Sequence, residues 1–292
     1  MDIAIALGEG GSRGYAHVGV LRRLEQAGFR IRAAAGTSAG GIIAAMYAAG
    51  FTPDEMEARF IELDQTRLFG RTSKDGPGLL GLSGAEKVLE SYFGARRFED
   101  LHIPCAVVAV DLGTGKEVIL SEGRVLDAIM ATIAVPGIFP PKEYNNTQLV
   151  DGAVLNPVPV SIARMLAPNL PVIAVVLDAG TSTNDITNIP LPVPVPTPLV
   201  RSITHTRIAQ SFTIFLKAVD VGSRKLADIR LKDEDPEGII SPYMGGIGIL
   251  DKVDVTKIIR IGEKAAEEAL PDLRNALAWP NRIRRKVFHR RP

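Results

Sequence analysis

Aromatic side chains are scarce in this chain of 292 residues, at 5 %, with a single tryptophan, Trp279. Stacking platforms for single-stranded nucleic acid need several such rings, so that class of partner is not expected. Cysteine is scarcer still: Cys105 stands alone. No disulfide can form within the chain and no cysteine cluster can hold zinc, which fits a reducing compartment. The four histidines, His17, His102, His205 and His289, lie far apart and show no paired-ligand spacing such as HExxH, so no metal site is expected. Net charge is nearly absent, at +1, which argues against a uniformly basic nucleic-acid binder. A secretory leader is not expected either, because Met1–Leu7 is short and lacks a basic start. Ala33 to Pro53 carries no charge, but Gly36, Gly40, Gly41 and Gly50 break it, and a buried strand, turn and helix explain it better than a membrane span. A cytoplasmic protein with at most peripheral contact at the inner membrane is expected.

What is present is an ordinary folded composition, 46 % hydrophobic and 23 % charged. Residues 2–7 read as a buried strand stopped by Gly8, and a helix follows to about Ala27, ended by Gly28. Ile31–Ala35 reads as a second strand, and residues 41–49 as a second helix. Strand, loop, helix, strand, turn, helix is the opening of a parallel α/β sheet. Thr52 and Pro53 predict a capped helix start. Further helices are expected over 84–93, 124–130, 160–166, 199–230 and 253–269, the last interrupted at Pro271. Further strands are expected over 103–110, 117–120 and 172–177. The fold class that results is α/β, a central, mostly parallel sheet between helical layers. Residues 1–280 are expected to form one domain, with core motifs within 1–180 and a helical part from 199 to 280.

Two segments stand apart from that pattern. Pro190, Pro192, Pro194, Pro196 and Pro198 alternate with Leu191, Val193 and Val195, and no charge occurs from Ile186 to Val200. Proline cannot donate to a sheet ladder, so an extended surface segment is expected. The end of the chain, 281–292, carries Arg282, Arg284, Arg285, Lys286, Arg290 and Arg291 and no acid. It reads as a flexible basic tail. Together, 190–200 and 282–291 could touch an anionic membrane surface.

The chemistry concentrates in three places. Gly36-Thr37-Ser38-Ala39-Gly40 fits G-x-S-x-G at a strand-to-helix junction. There a strained turn projects a serine hydroxyl at a helix N-terminus, and Gly36 and Gly40 let neighbouring elements close in. The run Gly8-Glu9-Gly10-Gly11-Ser12-Arg13-Gly14 exposes backbone N–H groups suited to an anion. It lacks the third glycine of a dinucleotide fingerprint, and no acid ends the second strand, so nucleotide binding is not expected. The serine also needs a base. His205 and His289 sit in poor contexts for one, and His17 reads as a packing residue. Asp111, Asp151 and Asp178 stand at strand ends, and Asp151 precedes Gly152-Ala153.

Leu7–Leu21 with its glycine run, Gly36-Thr37-Ser38-Ala39-Gly40 and Asp151-Gly152-Ala153 together resemble the three motifs of the patatin-like phospholipase family, in particular its bacterial branch related to neuropathy target esterase. The resemblance implies a three-layer α/β/α fold and a serine acyl hydrolase of the lipid esterase or phospholipase A type, with no cofactor. It implies Ser38 as nucleophile, Asp151 as its base, Gly10, Gly11 and Ser12 as an oxyanion hole, and Arg13 as support for that loop or for a lipid head group. Glu9 stands where many members have glycine, which is expected to weaken anion binding, and Ala153 replaces a glycine. A catalytically weak lipid-binding or regulatory protein on the same scaffold, and a thioesterase or general esterase, remain alternatives.

Overall fold

The computed structural model describes residues 1–69, 76–178 and 207–278. The proline-alternating segment, the basic tail, His205 and His289 lie outside the described residues. The chain opens as its alternation dictates. Strand β1 (Asp2–Leu7) sends Ile3, Ile5 and Leu7 to one face and Ala4 and Ala6 to the other, and all five are fully buried. Burial on both faces requires helices on both, which is the parallel-sheet solution. Helix α1 (Ala16–Gln26), β2 (Arg30–Thr37) and α2 (Ala39–Ala48) follow. Helix α3 (Pro53–Ile61) begins with Pro53 after Thr52, whose hydroxyl accepts from the Glu55 amide while Glu55 reaches back to the Thr52 amide.

The middle of the chain supplies α4 (Ser83–Phe93), β3 (Cys105–Asp111), β4 (Lys116–Leu120), α5 (Val125–Thr132), β5 (Lys142–Tyr144) and β6 (Thr147–Asp151). After α6 (Val160–Leu166) and β7 (Val172–Val175) come α7 (Arg207–Glu234), β8 (Gly238–Ile240) and α8 (Val255–Leu277). The sheet runs in the order β5-β6-β3-β2-β1-β7-β8, with β4 also pairing β3. Strands β3, β2, β1, β7 and β8 are parallel, while β4 and β6 run antiparallel to β3. The large side chains of one face meet α1, α2, α5 and α8. The small ones of the other, Ala4, Ala6, Ala33 and Ala35, meet α6 and Ala227 of α7.

Two expectations need correcting. The region from 199 to 280 is not wholly helical, because β8 pairs in parallel with β7. Three residues are too few to show a strand period in sequence. Helix α8 also continues through Pro271 to Leu277 instead of breaking there. Pro271 faces solvent, while Leu270, Leu273 and Leu277 stay buried on one face and hold the helix across the missing hydrogen bond. The contact between α1 and α8 depends on two glycines. A Cβ on Gly19 would fall within 1.9 Å of the Ile259 carbonyl, and one on Gly262 within 1.9 Å of the Ala16 carbonyl, so the backbones touch directly. Among the described residues, no helix is long and apolar enough to cross a membrane.

Candidate active site

The sheet register brings the site together. Strand β4 covers one edge of β3 from Val107 to Asp111. The opposite edge is shared end to end: β2 pairs with it as far as Thr37 against Val108, and β6 takes over with Asp151 against Ala109. Ser38 follows Thr37 directly. The serine and the aspartate therefore meet where one strand stops and the other starts.

Ser38 is the turn between β2 and α2, with φ 55° and ψ −125°. A non-glycine residue rarely adopts that conformation, and it stores of order 1–3 kcal/mol of strain. The surroundings hold it there. The Ser38 amide donates to Thr132 Oγ1 at 2.9 Å, and the Thr132 hydroxyl donates in turn to the Val108 carbonyl. Thr37 Oγ1 donates to the Asn156 carbonyl at 2.8 Å. A Cβ on Gly40 would lie 2.3 Å from the Leu7 carbonyl and one on Gly36 the same distance from the Gly40 carbonyl, so the turn closes only with glycine at both places.

Asp151 is 2 % exposed. Its Oδ1 accepts from the Ala153 amide at 2.9 Å, and its own amide donates to the Ala134 carbonyl. Burial pushes its carboxyl up from 3.8 to about 7. Hydrogen bonds from the Ser38 side chain and the Ala153 amide pull the other way, and the charge of Glu9 adds a further rise. Asp111 is different. Its carboxylate is tied up by the Gly113 amide and the Thr114 hydroxyl, which hold it below the ordinary value, as a turn residue.

The glycine-rich loop packs beside the turn. The Gly8 carbonyl accepts from His17 Nε2 at 2.8 Å, and the Glu9 amide donates to the Pro157 carbonyl. His17 is fully buried, and burial lowers it to about 4, so it is a neutral packing residue. Gly10 offers its carbonyl to both the amide and the Nε of Arg13, at 3.1 and 3.0 Å. In a trans peptide the carbonyl and the next N–H point opposite ways, so the Gly11 N–H faces away from Arg13. The Ser12 amide and hydroxyl both go to the Ile249 carbonyl, at 2.9 and 3.2 Å. Among the described residues, the amides of Gly10 and Gly11 have no acceptor. Arg13 is 2 % exposed, and its side chain is turned to Gly10 and Asp220.

A cavity of about 610 Å³ joins these parts. Ser38, Asp151, Glu9, Gly11 and Ser12 line one end; Gly10 does not, being packed against Leu177. Ile42, Phe60, Leu89, Tyr92, Val135 and Phe139 form an apolar wall. That volume and lining suit a small apolar ligand or an acyl chain. Thr132, Asp220 and Ser223 escape a reading from sequence. The only signal for Thr132 is a hydroxyl residue that ends an apolar helix, and for the other two a polar pair spaced i, i+3 in a helix. Among the described residues, no cluster of three His, Cys, Asp or Glu side chains could hold a metal ion.

Known proteins resemble this chain in sequence and in fold. An uncharacterised NTE family protein of Mycobacterium tuberculosis is 38 % identical over 162 residues, which cover 54 % of this chain and 44 % of that protein. A second NTE family protein of the same organism is 28 % identical over 288 residues, covering 93 % of this chain and 47 % of its own length. The chain thus spans less than half the length of these relatives. Among solved structures, VipD from Legionella pneumophila superposes with a TM-score of 0.50 at 11 % identity, over 92 % of this chain and 66 % of VipD, a likeness of fold. The family model for patatin-like phospholipase matches residues 5–164, more than half of the chain, and the protein belongs to that family.

Proposed function

We propose that the protein is a serine acyl hydrolase acting on lipid esters through a Ser38–Asp151 dyad. The observation that carries this reading is a serine held in a strained turn, next to a buried carboxyl poised near neutrality, at the head of an apolar cavity. A protein that only binds lipid has no use for such strain. The acyl chain lies along the apolar wall and presents its carbonyl to Ser38. Ser38 Oγ attacks the carbonyl carbon while Asp151 takes the hydroxyl proton. Negative charge develops on the carbonyl oxygen, where the Gly11 N–H and the Ala39 N–H, in the first turn of α2, supply donors. Gly10 and Ser12 shape that loop, but the Ser12 amide is committed to Ile249. Asp151 returns its proton to the departing alcohol, and water, activated by the same carboxylate, releases the acyl group. Asp151 carries every proton in this cycle, and no step calls on a metal or organic cofactor.

Residues 1–280 act as one catalytic domain in this reading, since α7 lines the cavity and α8 packs on α1. Peripheral contact with an anionic membrane through 190–200 and 282–291 is part of the proposal and rests on their sequence. A fluorophosphonate probe tests the nucleophile: mass analysis should find the adduct on the peptide that contains Ser38, and an adduct on any other serine would refute the assignment.

A further inference from the structure

The family match ends at residue 164, yet α7, which begins at Arg207, reaches the glycine-rich loop. Val219, Asp220 and Ser223 lie on one face of α7 and line the cavity beside Ser38 and Asp151. Two of them grip the loop. Arg13 Nη2 donates to Asp220 Oδ1 at 3.3 Å, while Arg224 Nη2 holds Asp220 Oδ2 at 3.0 Å. The Ser223 hydroxyl donates to Glu9 Oε1 at 3.3 Å and lies 3.5 Å from the Ala153 carbonyl, two residues after Asp151.

Charge accounting singles out Asp220. Arg13 is 2 % exposed, and a buried guanidinium needs an ionised, hydrogen-bonded partner. Glu9 sits 3.8 Å away, beyond a hydrogen bond, and burial raises its proton affinity, which weakens it as a counter-ion. Asp220 is the acid within hydrogen-bonding distance. The Nε of the same guanidinium holds the Gly10 carbonyl, and that carbonyl sets the direction of the Gly11 N–H.

We propose that Asp220, with Ser223 beside it, is a positioning residue: it fixes Arg13 in the pose that pins the Gly10 carbonyl and turns the Gly11 N–H toward the reacting carbonyl. This extends the active site to an element outside the family match and rests on the hydrolase reading above. Glu9 then has a place as well. It is the loop's own contact to α7 through Ser223, a contact that a glycine at position 9 could not make.

The experiment compares the wild-type chain with Asp220→Ala, Asp220→Glu, Ser223→Ala and, as a control on the exposed face of α7, Asp228→Ala. Two readouts are taken: kcat and KM on a short soluble ester, and amide hydrogen exchange in the peptide spanning residues 8–14. Asp220→Ala should lower kcat about 10- to 100-fold with KM within about twofold, and speed exchange in that peptide about tenfold, against the about 10²–10³-fold seen when an oxyanion donor is removed outright. Asp220→Glu should recover most of both. Ser223→Ala, the milder change, should show the same pattern at about three- to tenfold, and Asp228→Ala should match the wild type. Unchanged kcat, or unchanged exchange over 8–14, in Asp220→Ala would overturn the proposal. Should Asp220→Ala not fold, Ser223→Ala with wild-type kcat and exchange would overturn it equally. A wild-type chain inactive on every ester would sink the hydrolase reading, and the exchange data would still decide on Asp220.

Discussion

Ser38, next after Thr37, and Asp151 meet at one edge of β3, where Thr37 and Asp151 stand one register step apart. Thr37 pairs with Val108, and Asp151 with Ala109. The spacing of nucleophile and base is thereby set by a buried strand, without a flexible loop between them. A site mounted on sheet register is held with the precision of the sheet. The Thr132 hydroxyl ties the serine turn to β3, because it accepts from the Ser38 amide and donates to the Val108 carbonyl.

The acid limb of the pH profile follows from the Asp151 carboxyl. Burial places it at about 7, and it must be ionised to accept the serine proton. kcat/KM on a soluble ester should therefore rise with pH and level off above about 7. His17, lowered to about 4, should leave no inflection near 6.5. A rate already flat from pH 5 upward would mean that the base is not this carboxyl.

The same burial makes Asp151 a cost to stability. Its folded value lies above the unfolded value of 3.8, so stability is lost as pH rises from about 4 through about 7. At 1.36 kcal/mol per pH unit the loss amounts to roughly 4 kcal/mol above neutrality. Asp151→Asn keeps an acceptor for the Ala153 amide and removes the ionisation. Denaturant titration should find it more stable than the wild type at pH 8, and the difference should vanish by about pH 4. A destabilised Asp151→Asn at pH 8 would contradict the assigned burial.

The contact between α1 and α8 should be intolerant of a single methyl group. Gly262→Ala would drive its Cβ into the Ala16 carbonyl. The expected loss is about 1–3 kcal/mol or more, the range for overpacked cores, and thermal melting measures it. A melting temperature equal to that of the wild type would show that the helices lie further apart.

Membrane contact should depend on charge and on the apolar strip. Binding to anionic vesicles should weaken with added salt and with deletion of 281–292, in line with about 1 kcal/mol for each basic side chain near an anionic surface. Leu191→Asp with Val195→Asp should weaken it further while sparing hydrolysis of a short soluble ester. Equal vesicle binding by the intact, shortened and substituted chains would remove both segments from the account.

Local rules made the serine turn and the helix starts legible. The clash of Gly36 with the Gly40 carbonyl, and the cap at Thr52, are built from residues close in sequence, whereas Gly40 itself is demanded by the distant Leu7 carbonyl. What depends on distant partners was not legible. Ser12 looks like an N–H donor until Ile249 takes its amide, and nothing near Arg13 in sequence announces Asp220 as its partner. Strands β5 and β8 are each three residues long and carry no period of their own; only their neighbours in the sheet define them. Pro271 signals a helix end by local chemistry, and tertiary packing of Leu270, Leu273 and Leu277 overrides it.

The dyad is tested most directly by turnover of a short soluble ester by four purified, folded chains: wild type, Ser38→Ala, Asp151→Asn and the double change His205→Ala with His289→Ala. Ser38→Ala should have no measurable turnover, Asp151→Asn should lose about 10²–10⁴-fold, and the histidine variant should stay within about twofold of the wild type. Retained turnover in Ser38→Ala, or an active Asp151→Asn beside a dead histidine variant, would contradict the account.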